Sequence, residues 1–323
     1  MGYREETMRR RILLAALAAS GAIRPALAQP LPAELRMIVP FAAGGATDLL
    51  ARRLQPILEA KGHKLVVENI TGGGSMVGMS RLVQSRPDGR TVGMGSSGLI
   101  GQIVSEEIPL RFEQFAPLVR VAVDPLVIIT GAGSRFASFA QVIEAMKAGP
   151  GPSMGAAGPR GTIGHLRLAG IADQLGGQFT FVGYPGAARI VPELMGGHLD
   201  LAIVKPNDVF GQIRSGALRV LAVVEDEGVR QLPEAPVLAA FGLKAHPYGR
   251  MTQMTYVTAP AGLPPPVREA LTSLLREAVL SPEYQAKADS DGYIADGLAA
   301  DALVAAIAET AAAIRTAQQK VGT

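Results

Sequence analysis

Short apolar runs alternate with amphipathic stretches along most of the chain. Leu35 to Phe41 is a largely apolar run of strand length. Leu50, Leu54, Ile57 and Leu58 then fall at i, i+4, i+7 and i+8, which is one face of a helix. Between them Ala42 to Thr47 forms a turn, with Thr47 the expected N-cap and Asp48 suited to the positive end of the helix dipole. Gly62 ends this helix and Lys64 to Glu68 makes the next strand. The pattern repeats: Ser75 is the expected cap of a helix over 77–83, Pro87-Asp88-Gly89 turns the chain, and 91–94 is a third strand. Such alternation predicts an α/β fold with mainly parallel sheets covered on both faces.

A change comes after Ser105. The stretch to Phe115 is irregular, and the apolar run 119–130 is broken at Asp124-Pro125, which reads as a strand leaving one lobe and entering a second. There, helices over 139–148, 163–175, 189–195 and 208–214 lead to strands over 153–156, 179–182, 199–204 and 218–224. A Pro-rich connection precedes a return strand at 254–258, and helices over 265–280 and 301–319 are expected to pack back on the first lobe. The expected organisation is a first lobe of residues 29–124 and 252–323 and a second of 125–251. Two crossings between α/β lobes create a hinge and a cleft, into which the loops at strand carboxyl ends point.

Residues 1–28 read as a cleaved export signal. Arg9, Arg10 and Arg11 precede an apolar stretch at 12–23 too short to span a bilayer, and Ala26-Leu27-Ala28 fits a cleavage site. The expected location is the periplasm, and the sequence leaves Sec and Tat export open. The sequence pI of about 9.3 owes its basicity to this segment. Removing its 5 arginines and 2 glutamates from totals of 31 basic and 28 acidic residues leaves 26 of each. A neutral chain argues against nucleic acid as a partner. The absence of Cys excludes disulfides, thiolate catalysis and thiolate metal sites, and the four histidines lack metal-ligand spacing. No metal, cofactor or catalytic constellation is expected, so the chain reads as a binding protein rather than an enzyme.

The sharpest motif is the turn from Pro40 to Asp48. Its Gly44-Gly45 pair lets backbone approach a ligand, and the helix start behind it offers unpaired N–H donors to an anion. An ordinary tight connection would look the same locally. Gly93 to Gly98 matches G-x-G-x-x-G, but no long helix and second strand are evident downstream, so a dinucleotide site is rejected in favour of Ser96 and Ser97 as hydroxyl donors to a ligand. Gly72-Gly73-Gly74-Ser75 lacks the ending of a phosphate loop and reads as a packing turn. In the second lobe, Gly158, Arg160 and Thr162 follow one strand, Tyr184 and Gly186 another, and Lys205 and Asn207 a third. Arg160 could pair with a carboxylate or be a solvated loop arginine; His165 reads as a capping or packing residue.

Together, Met37-Ile38-Val39-Pro40-Phe41 with Gly44-Gly45 and Thr47-Asp48, Val66 to Asn69, Pro87 to Thr91, Ala157-Gly158, Gly196 to Asp200, Gly216 to Val223 and Ala259 to Gly262 resemble the substrate-binding proteins of tripartite tricarboxylate transporters, the Bug-type receptors. The resemblance runs in order through nearly the whole chain after residue 28. It implies a two-lobed periplasmic binding protein, type II-like (a Venus flytrap), with two hinge-crossing strands, acting as a monomer. It implies a small carboxylate ligand held partly through water by the first strand–helix turn, and delivery to the transporter's two membrane subunits. The ligand residues expected are Phe41, Ala43, Gly44, Gly45, Thr47 and Asp48, with Ser96, Ser97, Gly158, Arg160, Thr162, Tyr184, Gly186, Lys205 and Asn207. The chain departs from the family at Ala43, Pro185, Lys205 and Met254. The altered second lobe is expected to be more positive and to take a carboxylate without an amine. Presentation of the ligand to a membrane sensor, or an exported enzyme on the same scaffold, remain the alternatives.

Overall fold

The computed structural model describes residues 31–322; the export-signal reading lies outside them. The first sheet has the order β2-β1-β3-β10-β4. It is built from β1 (Glu34–Val39), β2 (Lys64–Asn69), β3 (Thr91–Ser96), β4 (Phe115–Val123) and β10 (Met254–Pro260). The first three strands are parallel, and β10 runs antiparallel between β3 and β4. Strand alternation divides β1 between two helical layers. Leu35, Met37 and Val39 join Leu50, Leu54 and Leu58 of α1 (Ala46–Ala60) in one cluster. Ile38 points the other way, to Met79 and Leu82 of α2 (Met76–Val83) and Leu99 of α3 (Ser97–Val104). Burial on both faces from Met37 onward explains why the second half of the strand is wholly apolar, whereas Glu34 and Arg36 stay exposed.

The second sheet has the order β7-β6-β8-β5-β9. Its strands are β5 (Val127–Gly131), β6 (Ser153–Ala157), β7 (Thr180–Tyr184), β8 (Leu201–Val204) and β9 (Leu218–Val223). The helices α4 (Phe139–Ala148), α5 (Ile163–Leu175), α6 (Ala187–Met195) and α7 (Phe210–Arg214) connect them. Here β6, β7 and β8 are parallel, while β5 pairs antiparallel with β8 and β9. Both sheets are therefore mixed rather than all parallel, because the strand that arrives from each crossing, β5 in one and β10 in the other, runs antiparallel to both its neighbours.

The chain crosses between sheets twice, at 124–126 and at 224–253. The first crossing falls where Asp124-Pro125 interrupts the apolar run. Beyond β10 come α8 (Pro265–Val279), α9 (Pro282–Asp291) and α10 (Ala300–Val321). The sequence pattern missed α9, since only Tyr284 and Ala288 of its ten residues are buried. Its punctuation was present: the Ser281 hydroxyl caps Tyr284 N–H, Pro282 opens the helix and Gly292 closes it in the left-handed region. The last helix corrects a second expectation. Leu303, Ile307 and Ile314 of α10 share one cluster with Tyr256 of the first sheet and with Ile128, Ile163 and Leu166 of the second lobe. It packs against both lobes, not the first alone. No helix among the described residues is long and apolar enough to cross a membrane.

Candidate functional site

The turn after β1 reverses at Gly44, whose φ of 79° is a left-handed value that disfavours a side chain. Gly45, extended, is the N-cap of α1, and Thr47 lies inside the first turn rather than capping it. Asp48 is 1 % exposed. It accepts the Gly44 N–H (2.8 Å), Arg52 Nε (2.8 Å) and Asn69 Nδ2 (2.9 Å). Asn69 also donates to Phe41 O (3.0 Å). Burial pushes the Asp48 carboxyl up, but the hydrogen bonds from Arg52, Gly44 and Asn69 outweigh it and hold it below its ordinary value. Asp48 thus fastens the turn from behind, while Ala42, Ala43 and Gly44 stay exposed.

Two cavities lie where the lobes face each other. One, of about 260 Å³, is lined from the first lobe by Phe41, Ser97 and Gly98 and from the second by Arg160, Thr162 and Gly164. The β6–α5 loop that brings Arg160 there bends at Gly158, where φ is 93° and an added Cβ would lie 2.7 Å from Thr162 Cγ2. Thr162 is the N-cap of α5 by position, but its hydroxyl donates to Pro159 O (2.8 Å). The first backbone bond of α5 is Leu166 N–H to Thr162 O, so the N–H groups of Ile163 and Gly164, both lining the cavity, have no intrahelical acceptor. The α3 N-terminus enters from the other lobe. Ser96 accepts Leu99 N–H (3.4 Å) as its cap. Ser97 is buried, and its hydroxyl accepts Met254 N–H (2.9 Å) and donates to Met254 O (3.2 Å).

Arg160 is exposed, with no carboxylate in salt-bridge range among the described residues. Its guanidinium carbon lies 5.6 Å from the centre of the Phe181 ring. His165 stacks edge-on against Phe181 (4.5 Å) and accepts Gly161 N–H at Nδ1 (3.1 Å). Nε2 lies 3.4 Å from Arg160 Nη1, also a donor, so a neutral ring in one tautomer can accept from only one of these two neighbours. Burial, then Arg160, lowers the His165 pKa to about 4. The ring is a neutral brace for the loop, as its position in the sequence suggested.

The other cavity, of about 430 Å³, is lined by Gly44, Arg53, Asp124, Lys205, Asn207 and Asp208, among others. Its charges are largely paired internally. Lys205 Nζ lies 2.6 Å from Asp124 Oδ2, and Arg53 pairs with Asp291. The expected positive surplus at Lys205 is therefore offset by Asp124, a residue 81 positions earlier that sits at the first crossing. Asp124 N–H donates to Gln253 O (2.8 Å), and Gln253 lines the smaller cavity, so the crossing backbones adjoin both. Tyr184 packs beside Gly155 and the core around Leu199, and Gly186 caps α6; neither lines either cavity. Gln253 and Ile314 do line the smaller one, and nothing in their local sequence marked them.

The family described as tripartite tricarboxylate transporter family receptor matches residues 50–318, a span that starts just past the Asp48 turn. The chain belongs to this family. It is 30 % identical over 287 residues to the protein BugT of Bordetella pertussis, covering 87 % of this chain and 86 % of BugT. The periplasmic binding protein BugD is similar in structure, with TM-score 0.74, 26 % identity and coverage of 90 % of this chain and 97 % of BugD. A Rhodopseudomonas palustris protein solved with adipate has TM-score 0.78, 23 % identity and coverage of 91 % and 99 %, a likeness of fold. The receptor's two-lobed α/β architecture is that of these relatives.

Proposed function

We propose that this receptor works in the periplasm, captures a small organic carboxylate lacking an amine between its lobes, and delivers it to the membrane subunits of a tripartite transporter. In this reading residues 29–124 and 252–323 form one lobe and 125–251 the other. The observation that carries the proposal is the convergence on one cavity of two helix N-termini, α3 and α5, with the Arg160 guanidinium. Helix N-termini and a free arginine both favour negative charge. Among the described residues the only carboxylate lining that cavity is the exposed Glu107, so an ammonium group would meet mainly positive potential. The adipate held by the R. palustris neighbour is a ligand of this class.

A thermal-shift screen of mono- and dicarboxylates, hydroxy acids and acidic amino acids tests the reading, because a ligand of the folded state raises its melting temperature. Carboxylates without an amine are expected to stabilise the chain, with calorimetry confirming one site. Binding of aspartate or glutamate alone would overturn the ligand class.

A further inference from the structure

Arg167 is the largest buried cation among the described residues, 1 % exposed, and the proposed carboxylate site makes no direct use of it. It stands on α5 four residues after Ile163 and three after Gly164, so it shares a helical face with the turn that lines the smaller cavity. Nη1 donates to Ala245 O and to His246 Nδ1 (2.7 Å). Nη2 donates to Met251 O (3.0 Å) and to both oxygens of Glu225, at 3.1 and 3.3 Å. Glu225 Oε1 in turn accepts Leu126 N–H (3.2 Å).

These partners are not scattered. Leu126 belongs to the short crossing, Glu225 opens the long one, and Met251 lies near its end. The guanidinium therefore bonds α5 directly to the long crossing and, through Glu225, to Leu126 of the short one. Stability alone is a poor account of such a group. Burying a charge is costly, a well-packed apolar replacement often serves as well, and Arg167 Nε has no hydrogen-bond partner among the described residues. A planar fork with several donors is suited to holding three segments in one geometry.

We infer that Arg167 is a positioning residue that locks the ligand-holding first turn of α5 to both inter-lobe crossings, so that cleft opening and carboxylate affinity change together. The inference rests on the proposed carboxylate site and deepens it. Coupling of this kind needs a physical element that both events bias, and the bonded crossings are that element.

The test uses the variant Arg167→Met/Glu225→Gln, which removes both charges and leaves no orphaned carboxylate, alongside Arg167→Lys, which keeps the charge but not the fork. Adipate is the probe, read by calorimetry, and solution scattering with and without adipate reads lobe closure. The double variant is expected to bind adipate about tenfold more weakly and to compact less at saturation, with its melting temperature close to that of the parent. The Lys variant should fall between the two. Parental affinity and compaction in both variants would overturn the inference. If the double variant fails to fold, the Lys variant decides by the same two readouts. Arg160→Ala separates the two readings: parental adipate affinity there would displace the proposed site. If the parent itself does not bind adipate, unliganded scattering decides, with greater spread of lobe separations in the Arg167 variants supporting the lock and identical curves refuting it.

Discussion

Replacing Asp48 with Ala removes the group that fastens the glycine turn to the first lobe. Three donors lose their acceptor: the Gly44 N–H, Asn69 Nδ2 and Arg52 Nε. The Arg52 side chain is 42 % exposed, so its ion pair is screened and adds little. The other two bonds reach a buried carboxylate and contribute about 1.5 kcal/mol each. The expected loss is about 3 kcal/mol, or a fall of about 5 °C in melting temperature for a chain of this size. Carboxylate affinity should fall too, since Asn69, which holds Phe41 O at the edge of the smaller cavity, loses its own acceptor on Asp48. The pH dependence has a definite sign. The folded carboxyl titrates below its ordinary value of 3.8, so its stabilisation is present above that pH and is lost as pH falls through the lower folded value. Melting curves of the parent and of Asp48→Asn should therefore separate at neutral pH and converge in acid. An Asp48→Ala chain melting within about 1 °C of the parent at neutral pH would refute the fastening role.

Other outcomes follow from the same geometry. Arg160→Ala should weaken carboxylate binding about tenfold to a hundredfold with little change in melting temperature, as its side chain is exposed; calorimetry and melting curves separate the two effects. His165 is neutral in the fold down to about pH 4 but protonates near 6.5 when unfolded, so stability should decline on acidification between those values. Urea titrations of His165→Asn across that window should show a flatter profile. Lys205→Ala strands the buried Asp124 carboxylate and should cost about 3 kcal/mol, whereas Lys205→Met with Asp124→Asn should recover most of it; a double-mutant cycle by urea unfolding measures the pairing.

Much of the fold was legible in periodicity. Apolar runs marked nearly every strand, and the Asp124-Pro125 break located the first crossing, because a strand buried on both faces must be apolar and a proline cannot donate to a ladder. Helix α9 escaped since its burial is confined to Tyr284 and Ala288. Its Ser-Pro start and glycine stop were the readable signal. The glycine turn, the second-lobe loops and Arg160 were also visible as candidates, because backbone freedom and a loop guanidinium are properties of local sequence.

What the sequence determined by itself was therefore the inventory: two sets of strands and helices, their turns, and the donor-rich loops at strand ends. Tertiary structure alone decided how those pieces are used. It turned Asp48 inward as a fastener, set Asp124 against Lys205 across 81 positions, laid the last helix over both lobes, and spent the Ser97 hydroxyl on Met254. The physical reason is range. Periodicity and capping act over a few residues, whereas ion pairs and buried hydrogen bonds depend on separations in space that only the completed packing sets.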